Sequence, residues 1–172
     1  MKTVLITGGA KGIGEAMSRG LAASGYNVII GYNTSSAKAK QLLEELQAKG
    51  YEVQILKINI TNRNEIKSAV EQVDQTCGGI DILINNAGIA QQKIITDITD
   101  EEWETMISIN LSSAFYMTRE VLPYMINKKR GHIINISSIW GMVGASCEVH
   151  YSAAKAGLIG LTKALAKELR PF

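Results

Sequence analysis

The 172-residue chain is poor in the residues that staple or metallate a small fold, with two cysteines, Cys77 and Cys147, and two histidines, His132 and His150. Thiols so few and so far apart exclude a disulfide framework. With only two histidines to join them, they also argue against a bound metal. An excess of one charge is lacking too: 18 Lys and Arg stand against 16 Asp and Glu, a formal net charge of +2. That balance gives no bias toward nucleic acid or a membrane surface. No apolar run is long enough to span a bilayer and no charged leader precedes the first strand-like segment, so a cytoplasmic setting is expected. Linkers, repeats and low-complexity stretches are missing as well. With 46% hydrophobic residues, the chain is expected to bury one core as a single domain over residues 1–172.

What is present is a regular alternation of strand-like and helix-like segments. Lys2 to Thr7 reads as a short buried strand, followed by the glycine turn TGGAKGIG (Thr7 to Gly14) and by helix-spaced Ile13, Met17 and Leu21. Strands are expected at Asn27 to Gly31, Glu52 to Ile58 and Ile80 to Ile84, with a helix at Ser36 to Lys49. A further helix begins at Asn62 and Glu65, which have the spacing of a capping box, as do Thr99 and Glu102. The latter pair opens a long helix, Asp100 to Asn127, which carries Trp103, Met106, Phe115, Leu122 and Met125 and which Pro123 should loosen near its end. Gly131 releases the chain into a fifth strand. The alternation predicts an α/β fold, a parallel sheet with right-handed crossovers and ligands outside the carboxyl ends of its strands.

The glycine turn lies where such a fold binds a nucleotide. Gly8, Gly12 and Gly14 allow a tight turn, a close approach of backbone to a pyrophosphate and close packing of helix on strand, while the helix N-terminus offers unpaired N–H groups. A second motif carries chemistry: HYSAAKAG (His150 to Gly157) places Tyr151 four residues before Lys155, on one helix face, with Ser138 upstream at the end of HIINISS. A neighbouring cation favours the phenolate form of a tyrosine, which suits it to acid–base work at a carbonyl. Taken alone, such a pair is more often an ordinary helix surface, and a glycine turn is often only a turn.

Together, these motifs resemble the short-chain dehydrogenase/reductase family in its compact form. TGGAKGIG is similar to the family's TGxxxGxG, NNAG (Asn85 to Gly88) to its tetrapeptide after the fourth strand, Asn110 to its helix asparagine, and Ser138, Tyr151 and Lys155 to its catalytic set. The resemblance implies a Rossmann-type doubly wound sheet of three layers, strand order 3-2-1-4-5, with the family's last two strands missing beyond Phe172. It also implies a weakened or oligomer-dependent form, or a dinucleotide-binding or assembly fragment that does not turn over. The implied reaction is reduction of a carbonyl to a secondary alcohol, with Tyr151 as acid, Ser138 bonded to the same oxygen, Lys155 beside the phenol and the nicotinamide ribose, and Asn110 disturbing its helix to hold a relay water.

Implied cofactor contacts are Gly8, Lys11, Gly12, Ile13, Gly14, Asn33, Asn59, Ile60, Asn86, Ala87, Gly88, Tyr151 and Lys155. After the second strand no carboxylate occurs until Glu44, so a 2′-phosphate would meet no repulsion; with Lys11 in the turn, the expected cofactor is NADP(H). For the substrate, NLSSAFYMT and AGLIGLTKALAKEL look most like 3-oxoacyl-acyl-carrier-protein reductases. SSIWG and GASCEV instead resemble reductases of the 5-aminopentanone modification on elongation factor P. Ser138, Trp140, Cys147, Glu148 and Tyr151 would line the substrate mouth, with Glu148 available to a substrate ammonium. Family members pair their long helices across a two-fold axis, which implies a homodimer through residues 100–127 and 151–169. Its expected contacts are Leu111, Phe115, Met117 and Val121 on the first helix, and Ala154, Leu158, Leu161 and Leu165 on the second.

Overall fold

Apolar side chains alternate along the strands and so divide between two faces. Val4 and Ile6 of the first strand join one buried cluster with Val28, Ile30, Ile82 and Ile84, while Leu5 joins the other with Ile29 and Leu83. The computed structural model describes residues 1–170. Five parallel strands, β1 (Thr3–Ile6), β2 (Asn27–Tyr32), β3 (Val53–Lys57), β4 (Ile82–Asn85) and β5 (His132–Asn135), form one sheet in the order β3-β2-β1-β4-β5.

The helices are α1 (Gly12–Ala23), α2 (Ser36–Ala48), α3 (Arg63–Cys77), α4 (Asp100–Ile107), α5 (Ser113–Asn127), α6 (Trp140–Val143) and α7 (Val149–Glu168). One sheet face is covered by α1 and by α2 with Ala39, Leu42 and Leu46. The other is covered by α3 with Ile66, Ala69, Val70 and Val73 and by α5 with Met117, Val121 and Met125. Helix α7 is tied to β5 by Asn135 Nδ2, which donates to Thr162 Oγ1 at 2.8 Å. This is the expected three-layer, doubly wound sheet. No helix among the described residues is long and apolar enough to cross a membrane.

The long helix expected over 100–127 is interrupted. Between α4 and α5 a π turn spans Ser108–Ser112, and Asn110 is its cause: Nδ2 donates to the Met106 carbonyl at 3.1 Å, four residues back, inserting a side chain into the backbone ladder. Pro123 lies inside α5, which nonetheless runs on to Asn127. Thr99 and Glu102 form the expected capping box. At α3, Asn62 accepts from the N–H groups of Asn64 and Glu65, but the Glu65 carboxylate turns back to the N–H of Asn59 at 2.9 Å.

One expectation about side-chain facing needs correcting. Trp103 and Phe115 are 42% and 43% exposed, and Phe115 is among the residues expected at a dimer contact. Four of the residues expected at a dimer contact, Met117, Val121, Ala154 and Leu158, are instead buried within the chain itself. A helix that packs on a sheet and also on a second helix buries more than one stripe, so extra apolar positions do not by themselves mark an outer interface.

Candidate active site

The carboxyl ends of β1, β2 and β4 open onto a groove of about 790 Å³. Its floor is the turn between β1 and α1, where Gly8 and Gly12 hold φ of +64° and +55° and a Cβ at Gly14 would collide with the Gly8 carbonyl. Thr7 pins that turn to the segment after β4: its hydroxyl donates to the Ile84 carbonyl at 3.3 Å and accepts from the N–H groups of Asn86 and Ala87 at 3.0 and 3.1 Å. Asn86 returns the tie, donating Nδ2 to the carbonyls of Thr7 and Gly8. The groove thus has two walls, the glycine turn and the NNAG segment, laced together by short hydrogen bonds.

Of the sequence-derived cofactor contacts, Gly8, Lys11, Gly12, Ile13, Gly14, Asn33, Asn59, Ile60, Asn86, Ala87 and Gly88 all line this groove. Lys11 is the N-cap of α1 and makes no side-chain cap bond, leaving the first N–H groups of that helix without a side-chain partner at the groove. Lys38, in the first turn of α2, lines it too, beside Asn33, Thr34 and Ser35. Two ammonium groups and no carboxylate among the described lining residues, together with a turn that has no room for a side chain at Gly14, fit a dinucleotide bearing phosphates.

At the far end of the NNAG segment three of the expected residues converge. A Cβ on Gly88 would fall 2.6 Å from Asn110 Oδ1 and 3.7 Å from Lys155 Nζ, so only a glycine lets that backbone pass between them. Lys155 is 5% exposed, donates to the Ile136 carbonyl at 2.8 Å, and lies 5.7 Å from the centre of the Tyr151 ring. Burial pushes its ammonium below the usual lysine range. Asn110 is 2% exposed and its Oδ1 accepts from the Ile89 N–H at 3.2 Å.

Ser138 and Ser137 diverge as neighbours on an extended chain do. Ser137 Oγ donates to the Lys155 carbonyl at 3.0 Å, whereas Ser138 Oγ accepts from the Trp140 N–H at 3.2 Å and keeps its own proton for another acceptor. Trp140, Cys147 and Glu148 lie between β5 and α7, outside the lining of the groove. Cys147 takes φ of +61°, and Glu148 accepts from Gln92 Nε2 at 3.4 Å.

The comparisons with known proteins bear on this geometry. The model of the short chain dehydrogenase family matches residues 2–172. The chain belongs to the short-chain dehydrogenase/reductase family. Such enzymes are oxidoreductases that use a nicotinamide dinucleotide. Relatives include 3-oxoacyl-acyl-carrier-protein reductase FabG of Staphylococcus aureus, 38% identical over 168 residues, covering 98% of this chain and 68% of that one. FabG of Thermotoga maritima is 41% identical over 168 residues with the same coverage. Among solved structures, gox2181 superposes with a TM-score of 0.94 at 32% identity, covering 99% of this chain and 67% of its own.

Proposed function

We propose that the chain reduces a carbonyl to a secondary alcohol with NADPH, acting on a 3-oxoacyl thioester. The supporting observation is the convergence of Gly88, Asn110 and Lys155 beside Tyr151 at the end of a groove with two lysines and no acid among its described lining residues. When bound, the nicotinamide supplies the hydride to the substrate's carbonyl carbon. Tyr151 gives its phenolic proton to the carbonyl oxygen, and the free Ser138 proton makes a hydrogen bond to the same oxygen. Lys155 favours the phenolate left behind, and the π turn at Asn110 would, as in the family, present a backbone carbonyl to a relay water. Lys11 and Lys38 would bracket the 2′-phosphate, with Asn33 between them. The FabG relatives support the thioester as substrate class.

A second reading, reduction of the 5-aminopentanone group on elongation factor P, draws on Glu148. Its carboxylate stands on the segment leading into α7 with a single long bond to Gln92, free to meet a substrate ammonium. Loss of NADPH absorbance on adding an acetoacetyl thioester is the test. Turnover there and none with an aminoketone supports the first reading, and the reverse result supports the second. Tight dinucleotide binding without turnover of either would identify a binding or assembly fragment. As in the family, two copies are proposed to pair through α4–α5 and α7.

A further inference from the structure

The segment after β4 is fastened at alternate residues to the elements that carry the catalytic side chains. Ile89 N–H donates to Asn110 at 3.2 Å, Gln91 Oε1 lies 2.9 Å from His150 Nε2, and Lys93 N–H donates to the Cys147 carbonyl at 2.7 Å. The middle tie is the unexpected one. His150 is wholly buried, immediately precedes Tyr151, and has no part in the chemistry described above.

Hydrogen-bond chemistry fixes its form. Gln91 Nε2 donates to Glu102 Oε1 at 2.8 Å, and a carboxylate can only accept, so the amide oxygen must be what faces His150. His150 Nε2 is therefore the donor, and Nδ1 is buried with no partner. Glu102 is itself immobilised: Lys93 Nζ donates to both carboxylate oxygens at 2.9 and 2.8 Å, and the Thr99 N–H to Oε2 at 2.9 Å. These contacts hold its carboxyl at about 2, far below the ordinary range. A charged, fully engaged group thus orients Gln91, and Gln91 orients His150.

The first turn of α7 needs such a tie. Its N-cap, Glu148, makes no side-chain cap bond, the first turn carries no other acid, and Cys147 before it is held in the left-handed region. Locally the turn is tied by Ser152, whose Oγ accepts from the Ala145 N–H at 3.1 Å, and His150 adds a buried side-chain tie to the segment after β4. We propose that His150 is a positioning residue: by donating to the Gln91, Glu102 and Lys93 cluster it fixes the start of α7, and so the Tyr151 hydroxyl, relative to the Asn86–Gly88 wall of the dinucleotide groove. The proposal rests on the reading of Tyr151 as proton donor, and substrate and dinucleotide would then meet a tyrosine already in place.

The test compares His150→Phe, which keeps ring volume and loses the donor, with His150→Asn, Gln91→Leu and their double variants. Amide hydrogen exchange at Ser152, Ala153 and Ala154 is expected to rise about tenfold or more in His150→Phe and in Gln91→Leu, with the second half of α7 unchanged. A misplaced proton donor should lower kcat about tenfold or more with dinucleotide affinity held within about twofold. His150→Asn should recover part of kcat, and the His150→Phe/Gln91→Leu pair should be no worse than either single change. Unchanged exchange in the first turn overturns the proposal, as does a wild-type kcat in His150→Phe, or a parallel loss of kcat and dinucleotide affinity. Should His150→Phe fail to fold, Gln91→Leu carries the same readouts. Failure of wild type to reduce any carbonyl would refute the functional reading alone, because the exchange experiment needs no substrate.

Discussion

Lys155 donates at 2.8 Å to the carbonyl of Ile136, on the chain leaving β5, while its ammonium lies 5.7 Å from the centre of the Tyr151 ring. The lysine is thus held by the sheet, and the tyrosine one helical turn earlier is presented against it. Removing only the phenolic proton should stop proton delivery without disturbing this scaffold. Tyr151→Phe is expected to lower kcat by about 10² to 10⁴ while leaving NADPH affinity within about threefold. Steady-state rates together with a fluorescence titration of NADPH check both halves, and near-wild-type turnover would remove Tyr151 from the chemistry.

Burial of Lys155 carries a cost that pH should reveal. Its folded pKa lies below the ordinary 10.5, so between the two values the unfolded chain binds the proton more readily than the folded one. Stability then rises with pH through that window, and the full penalty is present below it. Lys155→Met, which keeps the stem and drops the charge, is expected to raise the thermal midpoint of the ligand-free protein at neutral pH. The gain should shrink as pH climbs toward 10.5. A pH-independent difference between variant and wild type would contradict this account of the shift.

Cofactor preference should follow charge at the groove's adenosine end. Lys11 reaches it from the glycine turn and Lys38 from the first turn of α2, with Asn33 alongside. If both ammonium groups meet a 2′-phosphate, Lys11→Ala and Lys38→Ala should each weaken NADPH about three- to tenfold and hardly affect NADH, with the difference fading as salt is added. Asn33→Asp should invert the preference by placing a carboxylate against the phosphate. Calorimetric titration of the two dinucleotides into each variant is the measurement, and equal affinities in wild type would refute the assignment to NADP(H).

What could be read from the sequence was local. Alternating Val4, Leu5 and Ile6 predicts a strand covered on both faces, and the crowded Gly8–Gly14 turn predicts the groove, because each depends on neighbours a few positions away. The spacing of Tyr151 and Lys155 is local in the same sense. The hydroxyl of Thr7 was not legible as a clasp, since its partners Asn86 and Ala87 lie 79 and 80 positions on, and neither was the pairing of Gln91 with His150 across 59 positions. A side chain's partner across the sheet is set by topology, which periodicity does not encode. Lys38 was not legible because it lies past the strand end, in the first turn of the next helix, and α6 because four residues reading WGMV carry no cap and no period. The dimer contacts show the opposite failure: apolar excess on α5 and α7 was visible, but Met117, Val121, Ala154 and Leu158 fill the chain's own interior.

Correcting those contacts sharpens the last prediction, which concerns association. With the four buried residues removed, the outward apolar surface of α4 and α5 is Trp103 and Phe115, the latter under the Arg119 guanidinium at 5.2 Å. On α7, Ala156, Gly160 and Ala164 recur every fourth residue with exposed, short side chains, and nothing lies within 4 Å of a Cβ placed on Gly160. Helices so shaped can approach a second copy closely, with the large rings of one helix set beside the small residues of the other. Light scattering across a concentration series is expected to show a dimer. Phe115→Glu should shift the midpoint of dissociation upward by about tenfold or more, because a carboxylate would then be buried in the contact without a partner. Gly160→Leu, which adds bulk without charge, should act in the same direction without lowering the monomer's thermal midpoint, since its Cβ meets open space and a helical glycine is replaced by a better helix former. A wild-type monomer at every concentration, or a dimer indifferent to both substitutions, would place the family's two-fold contact elsewhere on this chain.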